Sequence, residues 1–312
     1  MPLRSRLGRR LWLNIRGIPP RGKYTIARRL LQAVVLGLFA TQLLVSGAII
    51  EGSLASSRVF RSIPMMDVFA WLEQAAATRS PTLESVIAVL VVFALYSVLG
   101  RFFCGWVCPM DLLFSLFERR LSSPRASPLT RPHSAGPIEK AIPLVMIVAY
   151  LGLSVVLGQP FFTTVSPVAG ATKLGSILVG VLYNIPGATI GLAMAWATIT
   201  GFALIVNIVA EYVFGVKRFW CRFICPIGGI YGYVMNRYSP FRVKVADVEK
   251  CRGCNLCSMA CPVSIDLMEY IHAGRDVTDY RCFKCGRCIE ACPHDVLRLG
   301  FSLRRTSNQK GN

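Results

Sequence analysis

Four long apolar runs divide the first two thirds of the chain. They occupy residues 30–50, 83–99, 141–157 and 187–214. Each is about as long as a helix that crosses the hydrocarbon core of a bilayer, and the last is long enough to tilt. The pattern therefore predicts four transmembrane helices. A further apolar piece, residues 174–183, is too short to cross and is predicted to be re-entrant or interfacial.

The segments between these runs are polar or mixed. Residues 51–82 combine charges with an amphipathic piece and predict an external loop, whereas residues 118–140, rich in Pro, Ser and Arg, predict a linker. Further on, the strings FRVKVADV and VLRLGF predict two strands of a small α+β domain. The predicted divisions are a basic tail (1–29), a membrane domain (30–240), a C-terminal domain (241–303) and a tail (304–312).

Composition and charge agree with a membrane protein. The 312 residues are 54% hydrophobic, with a mean hydropathy of +0.51. The net charge of +19 does not indicate nucleic-acid binding, because 31 of the 35 Lys and Arg lie in residues 1–29, 101–140 and 217–312. Such alternation is typical of loops on opposite sides of a membrane. It predicts that both termini and the middle loop are cytoplasmic.

The basic start followed by an apolar run also fits a signal peptide. That first run is longer than a typical signal-peptide core, so it is interpreted as a retained transmembrane helix. The chain is thus predicted to be a multi-pass protein of the bacterial inner membrane.

Eight of the twelve cysteines form two copies of one motif. The first reads CRGCNLCSMACP from Cys251 and the second CFKCGRCIEACP from Cys282, both with the spacing C-x2-C-x2-C-x3-C-P. This spacing is typical of bacterial ferredoxins, in which the fourth cysteine of each run ligates the other 4Fe-4S cluster. The predicted ligands are Cys251, Cys254, Cys257 and Cys292 for one cluster, and Cys282, Cys285, Cys288 and Cys261 for the other.

Zinc and disulfides are the alternatives for these eight cysteines. Zinc modules usually separate two cysteine pairs by a dozen or more residues, whereas here four cysteines fall within eleven. Disulfides require an oxidising compartment, and the charge distribution predicts a cytoplasmic position. Two 4Fe-4S clusters are therefore predicted.

The remaining four cysteines form a second repeated pattern. RFFCGWVCPM carries Cys104 and Cys108, and RFWCRFICPI carries Cys221 and Cys225, at an offset of 117 residues. An apolar run precedes each copy, so the membrane domain is interpreted as two parallel repeats with both cysteine pairs at the cytoplasmic face. The four thiols either form a further redox or metal site, or are inert buried cysteines.

Few other side chains in the apolar runs carry chemistry. Glu211, near the end of the last run, is a candidate for a quinone site, and the alternative is an ion pair with Lys217 or Arg218. His133, His272 and His294 all lie outside the predicted spans, which excludes a bis-His haem. The predicted fold class is an α-helical membrane protein with four transmembrane helices in two parallel repeats, followed by an α+β dicluster ferredoxin domain.

Together these motifs resemble the NapH family, the membrane ferredoxin-type quinol dehydrogenase subunits of periplasmic nitrate reductase systems. FCGWVCP and CRFICPIGGIYG look like the family's membrane motifs, and MauN-type and NosR-type proteins look similar. The resemblance implies electron transfer from menaquinol or ubiquinol to a NapG-like partner. Two other functions stay open, a maturation factor that supplies electrons for cofactor insertion and a redox sensor. The chain shows no catalytic triad, phosphate loop or DNA-binding helix pair.

Overall fold

The structure is a computed structural model that describes residues 22–44, 49–60, 62–118 and 132–302. Most of the predicted basic tail, most of the linker and the predicted tail 304–312 lie outside these residues. The helices are α1 Lys23–Ala40, α2 Val68–Thr78, α3 Leu83–Leu99, α4 Phe102–Trp106, α5 Pro109–Phe117, α6 Pro137–Leu157, α7 Phe161–Thr164, α8 Pro167–Leu182, α9 Ile190–Val213, α10 Pro226–Ile230, α11 Asn236–Tyr238, α12 Leu256–Met259, α13 Leu267–His272 and α14 Arg287–Ala291. Two π-helical turns, Trp220–Ile224 and Tyr231–Met235, flank α10, and the strands are β1 Ile50–Gly52, β2 Ser56–Val59, β3 Ile63–Met66, β4 Phe241–Val245 and β5 Leu297–Phe301.

Three helical segments of the described chain are long and apolar enough to cross a membrane. They are Pro137–Leu157, Phe161–Leu182 and Ile190–Val213. Leu83–Leu99 is equally apolar but has only 17 residues. The protein is therefore a mostly helical membrane protein. Its described residues contain three helical segments of membrane-spanning length, whereas the sequence predicted four transmembrane helices.

Two elements differ from the predicted spans. Helix α1 begins seven residues before the first apolar run and ends ten residues before its end, and Arg28 within it is fully buried against Asp111. The run from residue 174, predicted to be too short to cross, belongs to the longer segment Phe161–Leu182. Within this segment the Thr172 hydroxyl donates to the Ala169 carbonyl, and the Lys173 ammonium lies over the Trp196 ring of α9.

The predicted external loop contains regular structure that packs into the helices. Strands β1, β2 and β3 form an antiparallel sheet, and Asp67 then caps α2 by accepting bonds from the Phe69 and Ala70 amides. Helix α2 packs on α6, where the Ser154 hydroxyl donates to buried Glu73 at 3.0 Å. Helix α8 correspondingly packs on α1.

The C-terminal domain has the predicted strand arrangement. Strands β4 and β5 pair antiparallel, with Val243 opposite Leu299, which confirms the two strands expected from the alternating strings. Between them, α12 and α14 each lie within one cysteine motif, and α13 occupies the 20-residue segment between the motifs. This small sheet packs the cysteine loops against the membrane helices.

Candidate functional site

The first cysteine group surrounds one cavity of the C-terminal domain. Its lining includes Cys251, Cys254, Cys257 and Cys292, with apolar walls from Met268, Ile271 and Val296. The loop closes tightly because Gly253 and Asn255 both adopt positive φ, at 65° and 53°. The structure thus brings together the four thiols that the sequence predicts for one cluster.

The second cysteine group is more deeply buried. Burial raises the pKa of Cys282 to about 12, and the nearby thiols of Cys261 and Cys285 act in the same direction. The thiol of Cys288 has Cys285, Cys282 and Cys261 as neighbours, and also Cys257 of the first group. These four thiols, predicted to hold the other cluster, are therefore mutual neighbours in the structure.

The spacing of these thiols suits a cluster better than one ion. Within the described residues, no three His, Cys, Asp or Glu side chains stand close enough to hold a single metal ion. A cubane places its cysteine ligands on separate corners, further apart than the ligands of a mononuclear site. All-cysteine donors at ferredoxin spacing fit two 4Fe-4S clusters.

Crossed ligation gives a specific expected outcome. We expect Cys292→Ser to remove the cluster of the Cys251 motif, although Cys292 lies in the other motif, and Cys261→Ser to remove the cluster of the Cys282 motif. Iron analysis and EPR of the reduced protein check this, since each variant should retain one cubane signal and the two retained signals should differ. Loss of the same cluster from both variants would contradict the assignment.

The membrane-motif cysteines have matching local structures. Cys104 lies in the short helix α4 and Cys221 in a π-helical turn, whereas Cys108 and Cys225 are extended residues that precede α5 and α10. The proline that follows each second cysteine starts its helix, as proline at the first helical position commonly does. Both copies of the C-x3-C-P string therefore present one thiol from a turn and one at a helix N-terminus.

The four thiols of the membrane motifs are neighbours, with Cys104 and Cys108 buried and Cys221 and Cys225 partly buried. Burial raises the pKa of Cys225 to about 12, and Cys104 adds to the shift. Cys108 is close enough to Cys221, Cys104 and Cys225 for each to oppose its ionisation. The structure thus brings together the two motifs that lie 117 residues apart.

The membrane-motif cysteines lie directly against the second ferredoxin loop. A Cβ atom on Gly105 would stand 2.8 Å from the Phe283 carbonyl oxygen and 3.4 Å from Cys285 Cβ, so only glycine fits without displacement. Buried Arg101 donates to the Cys221 carbonyl at 2.5 Å and to the Tyr280 carbonyl at 3.2 Å. The first membrane motif therefore packs directly on the second ferredoxin loop, and Arg101 links that loop to the second membrane motif.

A buried group of ions fixes one side of this contact. We call it the Asp111 cluster, and its members are Asp111, Glu118, Arg28, Arg29, Arg218 and Arg287. Burial alone would raise the pKa of Asp111, but Arg218, Arg28 and Arg29 hold it well below its usual range. Because Arg287 lies in the second ferredoxin loop, the cluster ties that loop to the membrane helices.

A second group of ions fixes the opposite side. Glu139 in α6 accepts bonds from Arg222 and Arg281, and its other oxygen lies 2.8 Å from His133 Nε2. Arg281 precedes Cys282 and also bonds to Asp279 at 2.8 Å. Neither group of buried ions was predicted from the sequence. The pattern that could have indicated them is an acidic residue, such as Asp111, within a segment that is otherwise basic.

Glu211, the quinone candidate from the sequence, has Lys217 and Arg218 as its possible ion-pair partners. Arg218 bonds to Asp111 and Glu118, at 3.1 and 3.0 Å. Glu211 itself is buried near the end of α9. Both the quinone site and the ion pair therefore stay predictions for Glu211.

Comparison with known proteins agrees with these sites. The family described as "4Fe-4S dicluster domain" matches residues 243–293, and that described as "4Fe-4S binding domain" matches residues 82–125 and 194–244. No solved structure matches the chain. The family matches and the apolar helices define the class, which is a membrane iron–sulfur protein of electron transfer.

Similarity to whole proteins gives the family. The chain is 30% identical to the ferredoxin-type protein NapH of Haemophilus influenzae, over 90% of each chain, and 26% identical to that of Escherichia coli, over 89% of each. It is 25% identical to the methylamine utilization ferredoxin-type protein MauN of Methylorubrum extorquens, over 77% of this chain and 75% of that one. The chain belongs to the NapH family.

Proposed function

We propose that this protein takes electrons from menaquinol or ubiquinol and passes them singly through two 4Fe-4S clusters to a redox partner. The observation that carries the proposal is the contact at Gly105, which places the membrane-motif cysteines against the loop of Cys285. Membership of the NapH family supports quinol as the donor. Each cubane supplies one-electron chemistry when bound.

The chain's own residues have distinct parts in this function. Cys251, Cys254, Cys257 and Cys292 would hold one cluster, and Cys282, Cys285, Cys288 and Cys261 the other. The Asp111 cluster and the Glu139 group hold the second loop at a fixed distance from the membrane motifs. Rigid spacing of this kind supports electron transfer because the chain does not have to rearrange between steps.

A topology of two parallel repeats is part of the proposal. Two separate segments match the same family description, and α8 packs on α1 as α2 packs on α6. The charge distribution supports an inner-membrane position with both termini cytoplasmic. The ferredoxin domain then lies on the cytoplasmic side.

Electrons therefore need a route across the membrane if the partner is periplasmic. We assign the first step of this route, from the ferredoxin domain into the membrane domain, to Cys104, Cys108, Cys221 and Cys225, which would together hold a further metal group at the cytoplasmic face. The thiols are buried or partly buried and oppose one another's ionisation, a state that metal binding relieves because thiolates are the metal ligands. Cys108 and Cys225 also stand at helix N-termini, which favour negative charge.

The NapH resemblance favours periplasmic nitrate reduction as the pathway and a NapG-like ferredoxin as the acceptor. Similarity to MauN over 77% of the chain supports a second candidate, supply of electrons for maturation of another enzyme. Both candidates use the same series of cysteines. They differ in the protein that receives the electrons.

Anaerobic purification followed by quinol addition tests the proposal. We expect about eight irons per chain from two cubanes, with additional iron if the membrane motifs are loaded. Menaquinol should then produce the EPR signals of reduced clusters, because quinol is the proposed donor. Clusters that respond to dithionite but never to menaquinol or ubiquinol would contradict the proposed donor.

A further inference from the structure

A cavity of about 880 Å³ lies where the ferredoxin domain meets the start of α6. Three parts of the chain form its walls: residues 133–140, residues 232–242, and the ferredoxin segments 265–270 and 278–280. Tyr238 lines it and is 74% exposed, so the cavity opens at the surface. None of its residues belongs to the cysteine sites described above.

The cavity adjoins both outer loops of the second cluster site. Ile265 and Asp266 line it four and five residues after Cys261, and Tyr280 lines it two residues before Cys282. The loop is fixed there by the Cys282 amide, which donates to the Asp279 carbonyl at 3.1 Å. A molecule in the cavity therefore contacts the segments that carry two proposed ligands of one cluster.

One wall of the cavity is a flat aromatic surface. The rings of Tyr233 and Tyr280 stack with centroids 4.4 Å apart and planes 18° from parallel. Their hydroxyls donate to the carbonyls of Lys140 and Glu139, in the first turn of α6. The aromatic wall is thereby held at the end of a helix long and apolar enough to cross the membrane.

The cavity is lined by charged side chains of both signs. Asp279 bonds to Arg281, Glu269 accepts from the Ser134 hydroxyl at 2.5 Å, and Asp266 accepts from the Met268 amide. Arg242 donates to the carbonyls of Ser239 and Arg237. The side chains of Lys140 and Arg237 are exposed and make no hydrogen bond or ion pair among the described residues. Two cations beside an aromatic wall suit a planar ring whose oxygen substituents accept hydrogen bonds or carry negative charge.

We infer that this cavity binds the ring of the quinol, with the isoprenoid tail leaving towards the membrane along α6. The inference rests on the proposed function and specifies its site. The cavity's position selects a redox-active lipid over a phospholipid headgroup, since both adjoining loops serve the second cluster. Oxidation of one quinol yields one quinone, two electrons that reduce two oxidised cubanes by one each, and two protons released at the open side.

Two measurements on the full chain in detergent test the site. The variant Lys140→Gln with Arg237→Gln changes two exposed side chains that have no hydrogen bond or ion pair within the described part of the chain, so its folding and iron content should match the parent protein. We expect the KM for decyl-ubiquinol to rise by roughly tenfold or more, because charge-assisted hydrogen bonds are lost. Reduction of both cubanes by dithionite should be unchanged. The matched control is Arg275→Gln with Arg298→Gln, an equal charge change at exposed positions outside the cavity.

The second measurement does not depend on the clusters. An azidoquinone photolabel should attach to peptides containing Tyr233 or Tyr280 and should be competed by decyl-ubiquinone but not by a phosphatidylglycerol vesicle. Labelling near Glu211 or the membrane-motif cysteines, or an unchanged KM in the Lys140 and Arg237 variant, would overturn the inference. Competition by the vesicle would assign the cavity to a phospholipid and overturn it as well. Failure of the parent protein to be reduced by any quinol would instead contradict the proposed function.

Discussion

Replacing Asp111 with Asn is expected to lower the free energy of unfolding by about 3–5 kcal/mol, as breaking a buried ion group typically does. The carboxylate lies 3.1 Å from Arg28, 3.0 Å from Arg29 and 3.1 Å from Arg218. Without its charge, these guanidinium groups would remain buried with Glu118 as the remaining acid of the Asp111 cluster. Thermal unfolding in detergent, followed by circular dichroism, measures the loss.

The matched control for this change is Glu84→Gln. Its carboxylate pairs with Arg58, but both side chains are more than half exposed, so its loss should cost about 0–1 kcal/mol. Equal melting temperatures for the two variants would contradict the role of the Asp111 cluster.

The contribution of Asp111 to the free energy of unfolding also has a definite pH dependence. Because its pKa is depressed in the folded protein, the stabilisation is present above the ordinary Asp pKa and is lost as pH falls through the folded value.

The cysteine arrangement of the ferredoxin domain could be predicted from sequence because it is local. Four cysteines within eleven residues can close only a few kinds of loop, and the flanking alternating strings define strands that pair as β4 and β5. The neighbours of Cys288 in the structure include Cys261, as crossed ligation requires. The repeated C-x3-C-P strings likewise indicated that two distant loops would converge.

The helix packing could not be predicted in the same way, because it depends on contacts between distant segments. The sequence pattern predicts that Arg28 is a solvated residue of the basic tail. In the structure it is fully buried beside Asp111, which is 83 residues away in the chain. Glu73 similarly lies in a segment that reads as an external loop, yet it accepts bonds from the Phe162 and Thr163 amides. A hydropathy value describes one residue without its neighbours in space. Where charged residues are buried in ion pairs, the helix ends predicted from hydropathy therefore differ from the observed ends.

Gly105 shows the same limitation at the candidate site. In the sequence it is one glycine in an aromatic string, where a flexible turn would be the ordinary explanation. Its φ is unremarkable, and what requires glycine is the Phe283 carbonyl, 2.8 Å from where a Cβ would stand. The proposed electron transfer between the membrane motifs and the second ferredoxin loop depends on this close approach.

The double variant Cys104→Ala with Cys221→Ala is expected to reduce quinol-driven electron transfer to the partner to the background rate. One thiol is lost from each copy of the motif, so the remaining Cys108 and Cys225 provide two ligands where a cluster needs four. Reduction of the two cubanes by quinol should persist, because their eight cysteines and the cavity beside Tyr280 are unchanged. Stopped-flow absorbance of the cubanes and of a purified acceptor separates these two steps.

The matched control is Val107→Ala with Ile224→Ala, at the residues immediately before Cys108 and Cys225. It removes apolar side chains from the same two loops while keeping all four thiols, so it reproduces a packing defect without a ligand defect. A relay role requires the cysteine variant to stop transfer and the control to slow it little. If both variants lose transfer equally, the cysteines act through packing, and if the cysteine variant keeps full activity, electrons reach the partner without these thiols.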